Sequence, residues 1–211
     1  MSPHEWRTYL VTGATHSAGR STEQIAEAAI DGGIDVIQLR DKDRSARERY
    51  RTGRRLREVT DAADVPLIVN DRIDLAAAIG ADGVHLGQSD LPVDVARDQL
   101  GSSAIVGVSA STVAEATAAA AAGADYLGVG AVFSTSSKDV PDEENGIGTE
   151  RIRAVADAVG IPVIGIGGID ASNASRVREA GATGVAVISA ITAADDPRAA
   201  TAALREVVAD V

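Results

Sequence analysis

Lys42 and Lys138 are the only lysines in a chain whose other 18 basic residues are arginine. Each closes a polar cluster that directly follows a short apolar, strand-like run. An ammonium is a compact point charge and a guanidinium a planar fork, so lysine kept at two places in an arginine-rich chain points to an anion ligand at each. The first cluster is Gln38, Leu39, Arg40, Asp41 and Lys42, and the second is Thr135, Ser136, Ser137 and Lys138. Between them come Asn70, Asp71 and Arg72, then Gln88, Ser89 and Asp90, and then Ser109; after them come the Gly165, Gly167 and Gly168 run and the pair Ile188 and Ser189. Cations, carboxylates, hydroxyls and glycine-exposed backbone donors, without cysteine or a histidine pair, suit a phosphorylated ligand bound through a metal.

The elements that must carry these clusters are legible as one alternation from end to end. Short apolar runs occur at Tyr9–Thr12, Val36–Leu39, Pro66–Val69, Gly83–Leu86, Ala104–Val108, Tyr126–Val129, Pro162–Ile166 and Gly184–Ile188, each followed by a helix-like stretch rich in Ala, Glu and Arg. Runs apolar on both faces are buried parallel strands, and eight strand–helix units in a chain of this length predict a single α/β domain over residues 1–211, a (β/α)8 TIM barrel. A doubly wound sheet is the alternative. It predicts a phosphate loop after the first strand, but Gly13 to Arg20 carries neither GxGxxG nor a Walker pattern. Ser21 with Gln24 reads as a capping box, and Gly80, Gly123, Gly160 and Gly181 stand where helices should stop.

In such a barrel the C-terminal strand ends carry the chemistry. Asp71 and Asp90 follow adjacent strands, and as hard oxygen ligands beside a diphosphate they point to Mg²⁺. Helix capping is the competing role for both, Asp90 standing just before Leu91 and Pro92. The run IGIGGID, with Ile188 and Ser189, matches the phosphate site that barrels build from loops seven and eight; a tight turn needing positive φ is its competitor. Arg40 and Lys42 have an alternative as salt-bridge partners of Asp41 or Asp43, and loop hydroxyls such as Ser109, Thr135 and Ser137 one as local backbone partners. The three histidines, His4, His16 and His85, are scattered; His85, between Val84 and Leu86, reads as a strand residue and none is assigned a role.

Composition excludes whole classes. A net charge of −11 and a pI near 4.7 repel nucleic acid and anionic membrane, so neither is an expected partner. The acidity and the small Ala, Val and Ile residues fit a cytosol rich in salt. With no cysteine there are no disulfides, thiolate nucleophiles or Cys-based zinc sites. No signal core and no run approaching roughly 18 apolar residues is visible, so a cytoplasmic location is expected. The oligomeric state is open, a homo-oligomer being one option.

The ordered series VIQLRDK, LIVNDR, GADGVHLGQSD, VGVS, YLGVGAVFSTSSK, IGIGGI and VAVISAI resembles the thiamine phosphate synthase family over nearly the whole chain. That resemblance implies a transferase that joins 4-amino-5-hydroxymethyl-2-methylpyrimidine diphosphate to a thiazole phosphate, or its 2-carboxy form, and releases diphosphate. It implies contacts of the pyrimidine diphosphate with Gln38, Leu39, Arg40, Asp41, Lys42, Asn70, Ser109 and Lys138, and Mg²⁺ on Asp71 and Asp90. Thr135, Ser136, Ser137, Gly168, Ile188 and Ser189 would meet the thiazole phosphate. In the family the C–O bond to diphosphate breaks first and the thiazole nitrogen captures a pyrimidine methylene cation, so Arg40, Lys42, Lys138 and Ser109 are the expected catalytic groups. The loop from Phe133 to Gly148 is long enough for a lid. The chain departs from its relatives at Gly13, where Asp is frequent, at Ala131, where proline is common, and at Ser137, where threonine is common. A thiazole tautomerase-like relative, a non-catalytic precursor-binding barrel and a phosphosugar isomerase are the alternatives; the filled metal and lysine positions argue against them.

Overall fold

The computed structural model describes residues 2–13, 17–135 and 145–209. Within them β1 (Thr8–Val11), β2 (Val36–Leu39), β3 (Leu67–Asn70), β4 (Gly83–Leu86), β5 (Ile105–Ser109), β6 (Tyr126–Val129), β7 (Val163–Ile166) and β8 (Gly184–Val187) pair in parallel and in chain order. β8 returns to β1, with Tyr9 opposite Ala186, and closes the barrel. That closure excludes the doubly wound sheet. The strands lie within a residue of the apolar runs, shifted where proline starts a run, since Pro66 and Pro162 have no N–H for the ladder.

The connecting helices are α1 (Thr22–Asp31), α2 (Ala46–Ala62), α3 (Ile73–Ile79), α4 (Val93–Leu100), α5 (Val113–Ala121), α6 (Thr149–Ala158), α7 (Ala174–Glu179), α8 (Ser189–Thr192) and α9 (Pro197–Ala209). Ser21 and Gln24 do form a capping box, and Ser45 with Glu48 and Thr112 with Glu115 do the same for α2 and α5. Gly80 ends α3 in the left-handed region at φ 74°, where an L side chain would be strained.

Alternation along the strands divides the interior in two. Leu10, Ile37, Leu67, Val69, Val84, Val106, Leu127 and Val185 face outward and pack under the helices. Tyr9, Val11, Val36, Ile68, Tyr126, Ile164 and Ala186 face the barrel axis, with Trp6 beside them. Trp6 meets Tyr9 and Tyr126 edge-on, with ring centroids 5.6 Å and 5.1 Å away, so three aromatic rings fill the lower part of the barrel.

The N-terminal face is fastened by one device used four times. Asp35, Asp82 and Asp125 each precede an even-numbered strand. Their carboxylates accept the N–H of Thr8 (2.8 Å), Leu67 (2.7 Å) and Val106 (2.7 Å), and their own N–H groups donate back to the carbonyls of those residues. Thr183 repeats the exchange with Val163 through its hydroxyl. Arg205, Arg57 and Arg97 close on the three aspartates at 2.7, 2.5 and 2.7 Å. Asp35, whose side chain is only 5% exposed, needs such partners most, because unpaired buried charge is costly.

Candidate active site

The loop after β2 is braced at both ends. Thr12 Oγ1 accepts the Arg40 N–H at 3.0 Å, and Arg49 on α2 donates to the carbonyls of Lys42 (2.7 Å) and Arg44 (2.8 Å). Lys42 does not pair with its sequence neighbours: its ammonium reaches across to β3 and lies 2.8 Å from Asp71 Oδ2. Asp41 is buried and takes Arg44 at 3.5 Å; burial pushes its carboxyl up, against the pull of that guanidinium. Among the described residues Arg40 has no carboxylate within ion-pair distance.

Asp71 and Asp90 are neither of them helix caps. α3 starts after Arg72 and α4 after Pro92, and neither helix has a side-chain cap. Asp71 instead holds a left-handed backbone, φ 63°, with its N–H donated to the His85 carbonyl at 2.8 Å, a conformation a non-glycine residue adopts seldom and aspartate more readily than most. Asp90 Oδ2 accepts the Gly87 N–H at 2.6 Å and folds back across the β4 turn. Burial raises the Asp90 carboxyl, helped by the charge of Asp71 and opposed by the Gly87 N–H and Lys42. Among the described residues no three His, Asp or Glu side chains gather as a closed metal cage. Two facing carboxylates fit Mg²⁺, which keeps waters and takes its remaining ligands from substrate phosphate.

Beside this charged rim a pocket opens into the barrel, lined on one side by Gln38, His85 and Ser109 and on the other by Val11, Ile164, Ile166 and Ala186. Its lining is about half polar and half apolar. Ser109 ends β5, where Gln88 donates to its carbonyl at 2.6 Å and His85 Nε2 lies 2.9 Å from its hydroxyl. Asn70 ends β3 on the same face as Ile68.

Across the pocket, the loop after β6 packs on the turn after β7. Gly167 and Gly168 have φ of 103° and 61°, and a Cβ on either would meet Ala131 or Ser134 of that loop at 2.5–2.7 Å. Both the positive φ and the close approach therefore require glycine. Asn145 clasps Thr135, accepting its N–H at 2.9 Å and donating to its carbonyl at 3.2 Å. Ile188 follows β8 and leads directly into the short helix α8, which Ser189 begins. Ser136, Ser137 and Lys138, and most of the segment read as a lid, lie outside the described residues.

Residues 8–191 match the family described as thiamine monophosphate synthase. The chain belongs to that family. It is 62% identical to the thiamine-phosphate synthase of Natronomonas pharaonis, over 98% of this chain and 97% of that one. It is also 62% identical to the thiamine-phosphate synthase of Haloarcula marismortui, over 97% of each chain. Among solved structures, thiamine phosphate pyrophosphorylase from Pyrococcus furiosus superimposes with a TM-score of 0.89 at 38% identity, covering 99% of this chain and 98% of that one. Like these relatives the chain is a transferase.

Of the residues expected to serve a synthase of this family, the structure brings Arg40, Lys42, Asp71 and Asp90 to one rim and Gln38 and Ser109 to one pocket wall. Leu39 is different: it faces outward into the helix layer, so any contact it makes with substrate is through its backbone. Tyr9, Tyr126, His85 and Asn145 were not singled out by the sequence. The tyrosines read as apolar strand residues and His85 as a strand residue, which it is; only the register of β1, β4, β5 and β6 shows what their polar atoms meet.

Proposed function

We propose that this chain condenses 4-amino-5-hydroxymethyl-2-methylpyrimidine diphosphate with a thiazole phosphate, plain or 2-carboxylated, to give thiamine phosphate and diphosphate, the 2-carboxylated substrate also losing CO2. The observation that carries this reading is the Lys42, Asp71 and Asp90 cluster set beside a pocket walled by Gln38 and Ser109: an anion-and-cation rim joined to a slot for an aminopyrimidine.

The C–O bond between the pyrimidine methylene and the diphosphate breaks with both electrons leaving on oxygen, and the thiazole nitrogen lone pair then forms the new C–N bond. No protein nucleophile takes part, in keeping with a chain that has no cysteine. Arg40, Lys42 and Lys138 supply fixed positive charge where negative charge grows on the leaving group, the largest single contribution such a site makes. Mg²⁺, held by Asp71 and Asp90, would neutralise diphosphate charge when bound. Gln38, Asn70 and Ser109 orient the pyrimidine, and Thr135, Ser136, Ser137, Gly168, Ile188 and Ser189 hold the thiazole phosphate in line with it. The apolar wall of Val11, Ile164 and Ile166 excludes water from the cation.

We read residues 1–211 as one cytoplasmic barrel domain that works in a salt-rich cytosol, a reading supported by the acidic composition and by relatives in Natronomonas and Haloarcula. Among the described residues no helix is long and apolar enough to cross a membrane. The test is product formation from both phosphorylated precursors at high salt, with and without Mg²⁺. Metal-dependent thiamine phosphate, lost in Asp71→Asn while the variant stays folded, is expected. Folded protein that yields no product under any metal condition refutes the reading.

A further inference from the structure

Five side chains form one unbroken line of hydrogen bonds through the barrel interior. Gln38 Nε2 donates to Tyr9 Oη at 2.7 Å, Tyr9 and Tyr126 hydroxyls are 2.9 Å apart, Tyr126 Oη is 3.0 Å from His85 Nδ1, and His85 Nε2 is 2.9 Å from Ser109 Oγ. The line starts and ends on the pocket wall, while Tyr9 and Tyr126 are 2% and 0% exposed. The barrel makes room for it: a side chain at Gly107 would strike the Tyr126 ring, and one at Gly128 would come within 2.9 Å of His85. Burial pushes both phenols far above their ordinary range, so they stay protonated and pass on hydrogen-bond direction and not charge.

Hydrogen counting gives the line a polarity. Tyr9 accepts from Gln38, so its single hydrogen turns to Tyr126; Tyr126 then donates to His85 Nδ1, and the ring carries its proton on Nε2 and donates to Ser109. Ser109 receives a hydrogen bond from behind and offers its own O–H to the pocket, while Gln38, with an N–H committed to Tyr9, offers its carbonyl oxygen. An intact line therefore fixes the Ser109 hydroxyl as a donor to the pocket beside the Gln38 carbonyl oxygen and second N–H, groups that complement a heterocycle edge with an amine beside a ring nitrogen.

Resting on the synthase reading above, we propose that Tyr9, Tyr126 and His85 are positioning residues that couple Gln38 to Ser109 and make the two ends read the aminopyrimidine edge as one unit. None of the three makes a hydrogen bond to substrate in this scheme; they act through the residues at the ends. Tyr126→Phe removes one oxygen and cuts the line with the ring left in place. His85→Gln keeps an amide near the Nε2 position but loses the link to Tyr126.

The first measurement needs no substrate: ¹⁵N chemical shifts of the His85 ring in the intact protein, assigned by its absence in His85→Gln. A single Nε2–H tautomer that becomes a mixture in Tyr126→Phe is expected; an Nδ1–H tautomer, or a tautomer indifferent to Tyr126→Phe, overturns the proposal. In steady-state kinetics Tyr126→Phe and His85→Gln should each lower kcat/KM for the pyrimidine diphosphate about tenfold and leave KM for the thiazole phosphate unchanged. The double variant should be no worse than either single one, because a line cut twice is still one cut line. Multiplying losses, or an unaltered kcat/KM in folded variants, would refute the coupling. Should Tyr126→Phe not fold, Tyr9→Phe cuts the line one bond earlier and carries the same expectations. Wild-type protein without synthase activity counts against the proposed function, and the tautomer measurement still tests the line.

Discussion

Replacing Lys42 by alanine should lower activity about 30-fold while barely moving stability. The ammonium is 2.8 Å from Asp71, yet the lysine side chain is 52% exposed and the carboxylate 24% exposed. An exposed ion pair contributes about 0–1 kcal/mol to folding, so Lys42→Ala should move the melting temperature by only a few degrees. For catalysis the relevant partner is the charge growing on the leaving diphosphate. One unit charge about 4 Å from an ammonium, at an effective dielectric of about 20, is worth about 4 kcal/mol. Halving that for the solvent exposure of Lys42 and for the remaining cations leaves about 2 kcal/mol, or a fall in kcat of about 30-fold or more at about 1.4 kcal/mol per decade. Lys42→Arg should recover less than a third of the loss, because a planar fork does not place its charge where the point charge sat. The assay is initial rate of thiamine phosphate formation at saturating precursors and Mg²⁺, beside thermal unfolding of the same samples. A Lys42→Ala variant that turns over within twofold of the parent, or one that loses activity only because it is unfolded, would show that the charge at this place does not serve the leaving group.

Two further outcomes follow from the structure. Asp125→Ala leaves the Val106 N–H without its acceptor and Arg97 without its carboxylate, and should cost about 2–4 kcal/mol in denaturant unfolding; a loss under 0.5 kcal/mol would show that the strand-base exchange is ornamental. Burial raises the Asp41 carboxyl above its unfolded value, so folding favours the protonated form: that stability is present below the unfolded pKa, near 4, and is lost as pH rises through the folded one. Asp41→Asn should therefore gain on the parent in melting temperature at pH 7 and lose that gain by about pH 3, and a variant that gains at acid pH instead reverses the sign of the argument.

The barrel was legible because parallel strands buried on both faces leave continuous apolar runs, and because the capping pair Ser21 and Gln24 marks where α1 begins. The charged rim was legible because Arg40, Lys42, Asp71 and Asp90 all follow such runs, where barrels keep their chemistry. What Lys42 and Asp41 pair with was not legible: both lie on one loop, yet one reaches to β3 and the other turns back to Arg44. The buried line was hidden for a related reason. Its members are 24 to 117 residues apart, and a tyrosine inside an apolar run shows its ring to the sequence reader and not its hydroxyl. The strand-base aspartates did carry a signal, the recurrence of a left-handed glycine two positions before Asp35, Asp82, Asp125 and Thr183. Gly80, Gly123 and Gly181 read as helix stops and Gly33 carries no such reading; the residues two positions on stand out only when the four stretches are compared.

These two ends of the barrel divide the electrostatic work. At the N-terminal face every strand-base aspartate meets an arginine and a backbone N–H, so its charge is spent on holding strands together. At the C-terminal face compensation is left incomplete: Arg40 has no carboxylate partner among the described residues, Lys42 stays half in solvent, and Asp71 is held in a left-handed conformation that directs it to the rim. The protein carries a net charge of −11, a field that repels a diphosphate at distance. Such a ligand is attracted only within the screening length of the Arg40 and Lys42 rim, about 10 Å at 0.1 M salt. A high-salt medium shortens the repulsion of the acidic surface while leaving contact-range attraction largely intact. On the proposed function the acidic composition and the Arg40 and Lys42 rim are complementary: the surface suits a salt-rich solvent, and the rim would reverse its sign where an anionic substrate enters.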